Sequence, residues 1–388
     1  MEASGMPHAR DPTWLATTSR VALGDTEPHF GRITRLTQLR VAVLAPISWR
    51  VPPRHYGPWE QFASLLTEGL VARGTDVTLF ASGDSVTSAR LASVIDHGYS
   101  EDPSVEPKVV ECLHIAHAFE RADEFDVIHN SFDFLPLTYS GLVETPVITT
   151  IHGFSSNRIL AAYLKYNATT DYIAISEADR HPELDYLATI HHGIDTDAFS
   201  LGAEPGDYLL FFGRIHPDKG TAEAIDVAAA AGMPLVIAGI VQDQAYFDEL
   251  VRPRLDDEYV SFVGAVSRDD RSQLLAGAHA LLHLIDFDEP FGYSVVEAMA
   301  CGTPVIAVAR GSMQELIDEG VTGFLVTDVN GAVAAVERVA ALDRTAIRAT
   351  AIDRFGVGRM VDEYIAAYDE IVRFGGGRSR GRPPSVRH

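Results

Sequence analysis

The chain is poor in cysteine and in lysine. Cys112 and Cys301 are its two thiols in 388 residues. They are too few for a disulfide framework and lack metal-ligand spacing, so a reducing, cytoplasmic setting is expected. Lysine occurs only as Lys108, Lys165 and Lys219, among 31 basic residues. No stretch reaches the roughly 18 unbroken apolar residues of a membrane helix. The nearest, Val227 to Val241, is broken by Gly232-Met233-Pro234. The N-terminal region lacks the apolar centre of a signal peptide. Positive charge is short overall: the net charge is −23, which argues against sequence-independent binding to nucleic acid or to an anionic membrane. From Gln38 to Asp195, 10 basic residues face 21 acidic ones, a net charge of −11.

A hydrophobic share of 46% and mean hydropathy of +0.04 describe a globular chain, and its length implies more than one core. Residues 1–37 show no sustained period and are expected to be disordered. So is the basic, glycine-rich tail 375–388. Between them, short runs rich in Val, Ile and Thr alternate with helical patterns. Arg40 to Pro46, Asp76 to Ala81, Asp126 to His129, Pro146 to Ile151 and Tyr172 to Ile175 form one series. Tyr208 to Phe212, Pro234 to Ala238, Val260 to Val263, Ala280 to Leu284 and Pro304 to Val308 form a second. This is the pattern of βαβ units with buried parallel sheets. The polar segment Asp195 to Asp207 separates two α/β domains, 38–195 and 196–357. A last helix over 358–374 is long enough to cross between them. Ligands of such open sheets bind at the carboxyl ends of the strands.

Two segments of the second half carry chemistry. Asp288-Glu289-Pro290-Phe291-Gly292-Tyr293-Ser294-Val295-Val296-Glu297 puts carboxylates at 289 and 297, the first at a strand's end and the second about two turns along the helix that follows. Phe291-Gly292 opens that helix, where free backbone N–H groups can hold an anion or a sugar hydroxyl. Phe211-Phe212-Gly213-Arg214-Ile215-His216-Pro217-Asp218-Lys219-Gly220 follows an earlier strand with a glycine and two cations. That is a sensible phosphate cradle, and a lysine is conspicuous in a chain that uses so few.

Together with Glu319-Gly320-Val321-Thr322-Gly323-Phe324, His152-Gly153, Ala174-Ile175-Ser176-Glu177 and Gly193-Ile194-Asp195, these segments resemble glycosyltransferase family 4, the retaining nucleotide-sugar transferases of the GT-B fold. The resemblance runs from about Arg40 to Phe374. It implies an α/β protein of two Rossmann-like doubly wound domains facing across a cleft. It also implies metal-independent transfer of a sugar from a nucleoside-diphosphate sugar, as substrate rather than cofactor, to a hydroxyl acceptor. By the same resemblance Arg214 and Lys219 hold the diphosphate and stabilise the leaving group, with Gly213 beside them. Glu297 binds the ribose, Glu289 and the amides of Phe291, Gly292 and Tyr293 bind the donor sugar, and His152 reaches in from the first domain. The acidic first half favours a soluble or neutral acceptor over an anionic lipid. A nucleotide-sugar epimerase or a phosphorylase of the same fold is the alternative. A nicotinamide dehydrogenase is rejected, because no G-x-G-x-x-G follows the first strand.

Two departures from the family pattern stand out. The first loop reads Tyr56-Gly57-Pro58-Trp59-Glu60, with Pro58 in place of a second glycine, leaving Gly57 to approach a phosphate or the acceptor. His192 replaces an asparagine, where only a hinge contact is expected to change. Asp286-Phe287-Asp288 matches a metal-binding pattern of another fold by chance. His279 and His283, four apart on a strand, do not make a ligand pair.

Overall fold

The computed structural model describes residues 38–374 apart from 55–56, 155–156, 203 and 257, and only the backbone of 157, 268 and 269. The expected disorder at 1–37 and 375–388, and Tyr56, lie outside the described residues. Among the described residues, the strands form two parallel sheets. The first contains β1 (Arg40–Leu44), β2 (Asp76–Phe80), β3 (Arg90–Ala92), β4 (Val127–Asn130), β5 (Val147–Ile151), β6 (Asp171–Ala174) and β7 (Tyr186–Thr189), in the order β3-β2-β1-β4-β5-β6-β7. The second contains β8 (Leu209–Phe212), β9 (Leu235–Ala238), β10 (Val260–Gly264), β11 (Ala280–His283), β12 (Val305–Val308) and β13 (Gly323–Val326), in the order β10-β9-β8-β11-β12-β13.

The central strands are continuous apolar or β-branched runs such as Val147-Ile-Thr-Thr-Ile151, buried throughout. Helices cover both faces, as a parallel sheet requires. Each sheet therefore has an apolar cluster on either side, for example Val43, Leu66, Leu79 and Tyr364 on one face of the first and Leu44, Phe80, Ile115 and Phe125 on the other. In each sheet the order reverses beside the first strand, between β1 and β4 and between β8 and β11. Loops diverge there and leave a crevice at the carboxyl ends.

β3, β7 and β13 escape the sequence reading for local reasons. β3 is three residues with an exposed arginine, and β7 is a half-buried edge strand without β-branched continuity. β13 begins at Gly323, where an added Cβ would stand 2.1 Å from the Val305 carbonyl oxygen. The close approach to β12 needs the glycine that makes the run look like a turn.

The chain passes from the first sheet to the second at Ile194 and returns at Gly356, and these two residues form an isolated parallel bridge. The helix Val357–Phe374 then packs on the first sheet, burying Met360, Val361, Tyr364, Tyr368 and Ile371. Its approach to the helix Pro58–Ala72 is close: a Cβ on Gly69 would lie 2.3 Å from Val361 Cγ2. The tyrosine hydroxyls are satisfied inside the core. Tyr368 Oη is 2.5 Å from His129 Nδ1, and Thr150 Oγ1 lies 2.8 Å from Tyr364 Oη and 3.0 Å from His129 Nε2. This network braces the end of β5, two residues before His152.

Candidate active site

Loops at the carboxyl ends of the strands build the site. The loop after β8 runs from Gly213 to Gly220, and the loop after β11 carries Glu289. They are tied together: Asp286 N–H donates to the Asp218 carbonyl at 2.8 Å. Gly220, at φ +74, packs so tightly on β11 that a Cβ would fall 2.0 Å from the Leu284 carbonyl oxygen. The Glu289 segment is held from the far side, with Ser312 N–H donating to Glu289 O at 2.9 Å and Ser312 Oγ to Phe291 O at 2.7 Å.

This architecture brings Lys219 onto Glu289. Lys219 Nζ is 2.7 Å from Glu289 Oε2, and both side chains are largely buried. The ammonium also lies 4.4 Å from the centre of the Phe287 ring. His283, at the end of β11, approaches the same carboxylate oxygen at 3.6 Å. Burial opposes charge on Glu289, but the imidazole and the ammonium outweigh it and hold the carboxyl down to about 2. Sequence reasoning missed His283 as a partner. Its position at a strand's carboxyl end was the available signal. His279 diverges from it, with Nε2 3.0 Å from the Val336 carbonyl oxygen.

Arg214 is not drawn into this pair. Its guanidinium donates to the Gln242 side chain. At Gly213 a Cβ would meet only Phe211 Cζ, at 3.9 Å, so internal packing does not demand glycine there. Gly292, at φ +97, opens the helix Tyr293–Ala300, whose first N–H groups have no intrahelical acceptor. Glu297, on that helix, is buried and accepts from Arg271 Nη1 at 2.9 Å. Arg271, also missed, offsets the charge of this carboxylate. Asp286 and Asp288 both face Arg310, at 3.6 Å for Asp288.

The first half contributes two loops. Gly57, at φ +153, caps the helix Pro58–Ala72, and its Cβ would stand 2.7 Å from Glu60 Oε2 and 2.9 Å from Pro53 Cβ, so only glycine fits. Trp59 stacks on His152 with centroids 5.4 Å apart. The His152-Gly153 loop reaches the second half: a Cβ on Gly153 would lie 2.8 Å from Pro290 Cγ. His152 Nδ1 is 3.2 Å from His192 Nε2, and His192 stacks on Tyr293 with centroids 5.2 Å apart. His192 thus does more than adjust a hinge. Burial first, then the neighbouring imidazoles, push the His152 value well down, and burial takes His192 to about 3, so both rings are neutral.

Residues 194–349 match the family model described as glycosyl transferases group 1. The chain is a glycosyltransferase, and this segment is its group 1 domain. Glycosyltransferase MJ1607 of Methanocaldococcus jannaschii is 25% identical over 336 residues, covering 74% of this chain and 85% of that protein. A D-inositol 3-phosphate glycosyltransferase of Mycobacterium sp. (strain KMS) is 35% identical over 161 residues, and the match spans 36% of each chain. Among solved structures, AviGT4, a glycosyltransferase involved in avilamycin A biosynthesis, superposes with a TM-score of 0.63 at 26% identity, over 86% of this chain and 98% of its own. Anabaena Alr3699/HepE, solved with UDP and glucose, gives 0.66 at 20% identity over 86% and 100%. The fold of this glycosyltransferase is accordingly GT-B. The matched segment holds Arg214, Lys219, Arg271, Glu289 and Glu297. His152 and Gly57 lie outside it.

Proposed function

We propose that this glycosyltransferase moves a sugar from a nucleoside-diphosphate sugar to a hydroxyl acceptor with retention of configuration and without a metal. The observation that carries the reading is the Lys219–Glu289 pair beside the opening of the helix Tyr293–Ala300. Cleaving a glycosyl phosphate bond builds negative charge on the departing diphosphate. Fixed cations and helix-start N–H groups lower that barrier electrostatically. Lys219 and Arg214 take this role, and the open face of Gly213 allows close approach. Glu289 accepts from the sugar's hydroxyls, and Glu297, kept in place by Arg271, accepts from the ribose.

Glu289, held near 2, is a weak base. In this reading the acceptor's proton therefore passes to an oxygen of the leaving diphosphate. The bond from the anomeric carbon to phosphate breaks, and the bond to the acceptor oxygen forms on the same face. HepE, a relative in fold, is solved with UDP and glucose, which agrees with a nucleotide-sugar donor. Among the described residues no helix is long and apolar enough to cross a membrane. The acidic first half favours a soluble or neutral acceptor.

Thermal-shift titration against UDP, GDP, ADP, dTDP and their sugars identifies the donor, because a ligand that binds the folded state raises its stability. Turnover assays with that donor follow. A glycoside product with the donor's anomeric configuration is expected. Interconversion of the sugar without transfer, or phosphorolysis, would replace the proposal with an epimerase or phosphorylase. Tight sedimentation with anionic vesicles at physiological salt would overturn the acceptor assignment.

A further inference from the structure

Trp59, His152, His192 and Tyr293 form a continuous run of ring contacts from the first half to the helix bearing Glu297, stacked at both ends and tilted between the two imidazoles. The successive centroid distances are 5.4, 5.1 and 5.2 Å. Phe62 flanks both imidazoles, at 4.7 and 4.8 Å, and Phe291 meets His192 edge-on at 5.1 Å. The rings are therefore fixed in orientation. A polar contact of 3.2 Å joins His152 Nδ1 to His192 Nε2. Two ring atoms are buried with no protein partner, His152 Nε2 and His192 Nδ1.

Two neutral imidazoles sharing one N···N contact have one proton between them. If His152 donated it, His192 would carry its own proton on Nδ1. That N–H would be sealed among Phe62, Phe291 and Tyr293 on a residue only 2% exposed, and orphaned buried N–H groups are rare because they are costly. It would also share its surroundings with the Arg359 guanidinium, whose charge opposes further positive charge on His192. If His192 donates instead, its Nδ1 is a bare lone pair, which a nearby cation favours. The unpaired N–H then falls on His152 Nε2. That residue belongs to the loop touching Pro290, where a ligand's oxygens can satisfy it.

We propose that His192 is a positioning residue that donates from Nε2 to His152 Nδ1, locks His152 in its Nε2–H tautomer, and thereby offers the nucleotide-sugar donor a hydrogen-bond donor to a sugar or diphosphate oxygen. This rests on the reading of the site given above. A tautomer is set by the bond the second nitrogen makes, so here the first half's histidine is pre-set by a residue from the crossover.

The test uses the full chain in two arms. Nitrogen-15 NMR of the imidazoles without substrate, with His152 assigned from a His152→Asn sample, should show His152 protonated on Nε2 and bare on Nδ1. His192→Phe keeps the stack and removes the proton. It should mix the His152 tautomers, lower kcat about tenfold, the effect of one lost hydrogen bond, and leave KM and nucleoside-diphosphate affinity unchanged. His192→Gln, whose amide N–H reaches the same point, should restore kcat. A wild-type His152 protonated on Nδ1, or undiminished kcat in a folded His192→Phe, overturns the proposal. Wild-type protein that turns over no nucleotide sugar would sink the proposed function instead, because the substrate-free tautomer is read independently.

Discussion

Lys219 Nζ and Glu289 Oε2 are 2.7 Å apart although 70 positions separate them in the chain. The contact exists because the loops after β8 and β11 are adjacent at the switch point of the second sheet. A largely buried pair of this kind is expensive to break from one side, since the survivor stays charged and unpaired. The cost is about 3–5 kcal/mol. Lys219→Ala should therefore lose both stability and turnover, the latter by about a hundredfold or more. Lys219→Ala with Glu289→Gln should regain most of the stability and none of the turnover. Thermal unfolding and kcat/KM on the same preparations separate the two effects. Recovery of turnover in the double variant would show that Lys219 serves only to neutralise Glu289.

Arg214 offers the cleaner probe of the leaving group. Its guanidinium meets a neutral glutamine side chain, Gln242, rather than a carboxylate. Arg214→Ala should leave the unfolding temperature unchanged and lower turnover by about 2–4 kcal/mol in transition-state stabilisation. Near-normal kcat/KM in this variant would remove Arg214 from the diphosphate.

The central strands were legible because a doubly covered parallel strand is a continuous apolar run, and the crossovers between them follow from the alternation. Glu289, Glu297 and Lys219 were legible because each lies in a short motif at a strand's end. Their partners were not. Arg271 pairs with Glu297 across 26 positions and His192 with His152 across 40. Such pairs arise where separate loops meet, and no local period records them. His192 is the instructive case: a substitution in a familiar motif looked like a hinge detail, but the ring lies between His152 and Tyr293.

Glu60 gives a pH prediction of definite sign. Burial raises its carboxyl from 4.5 to about 7, although backbone N–H groups, including that of Trp49, pull the other way. The folded value exceeds the unfolded one, so the stabilisation is whole below pH 4.5 and is lost as pH rises through 7. Glu60→Gln, neutral throughout, should match the wild type near about pH 4 and exceed it near about pH 8.5 by up to about 3 kcal/mol. Chemical unfolding at both values decides. An equal difference at the two would mean that Glu60 does not titrate in this window.

Chelation tests the charge assignment. Asp286 and Asp288 are exposed and share Arg310, and the leaving group's charge is assigned to Arg214, Lys219 and the helix start. Turnover should survive EDTA and survive Asp286→Ala and Asp288→Ala. Loss on chelation with recovery in Mn²⁺ or Mg²⁺ would transfer the role to a metal held by these aspartates.

Glu297 and Glu289 should separate nucleotide from sugar. Glu297 is buried on the helix Tyr293–Ala300 with Arg271 at 2.9 Å, whereas Glu289 sits at its entrance with Lys219 and His283. Glu297→Gln should weaken binding of the bare nucleoside diphosphate by about 1.5–3 kcal/mol, the worth of hydrogen bonds to a charged acceptor. Arg271→Ala should weaken it as well, because the carboxylate loses the group that holds it in place. Glu289→Gln should change bare-nucleotide affinity little and lower turnover of the complete donor. Calorimetric titration of the three variants with nucleotide alone, followed by kcat with the donor, distinguishes the roles. If Glu289→Gln loses nucleotide affinity and Glu297→Gln keeps it, the assignments are reversed. If neither variant alters nucleotide or donor, the two carboxylates do not form the donor site.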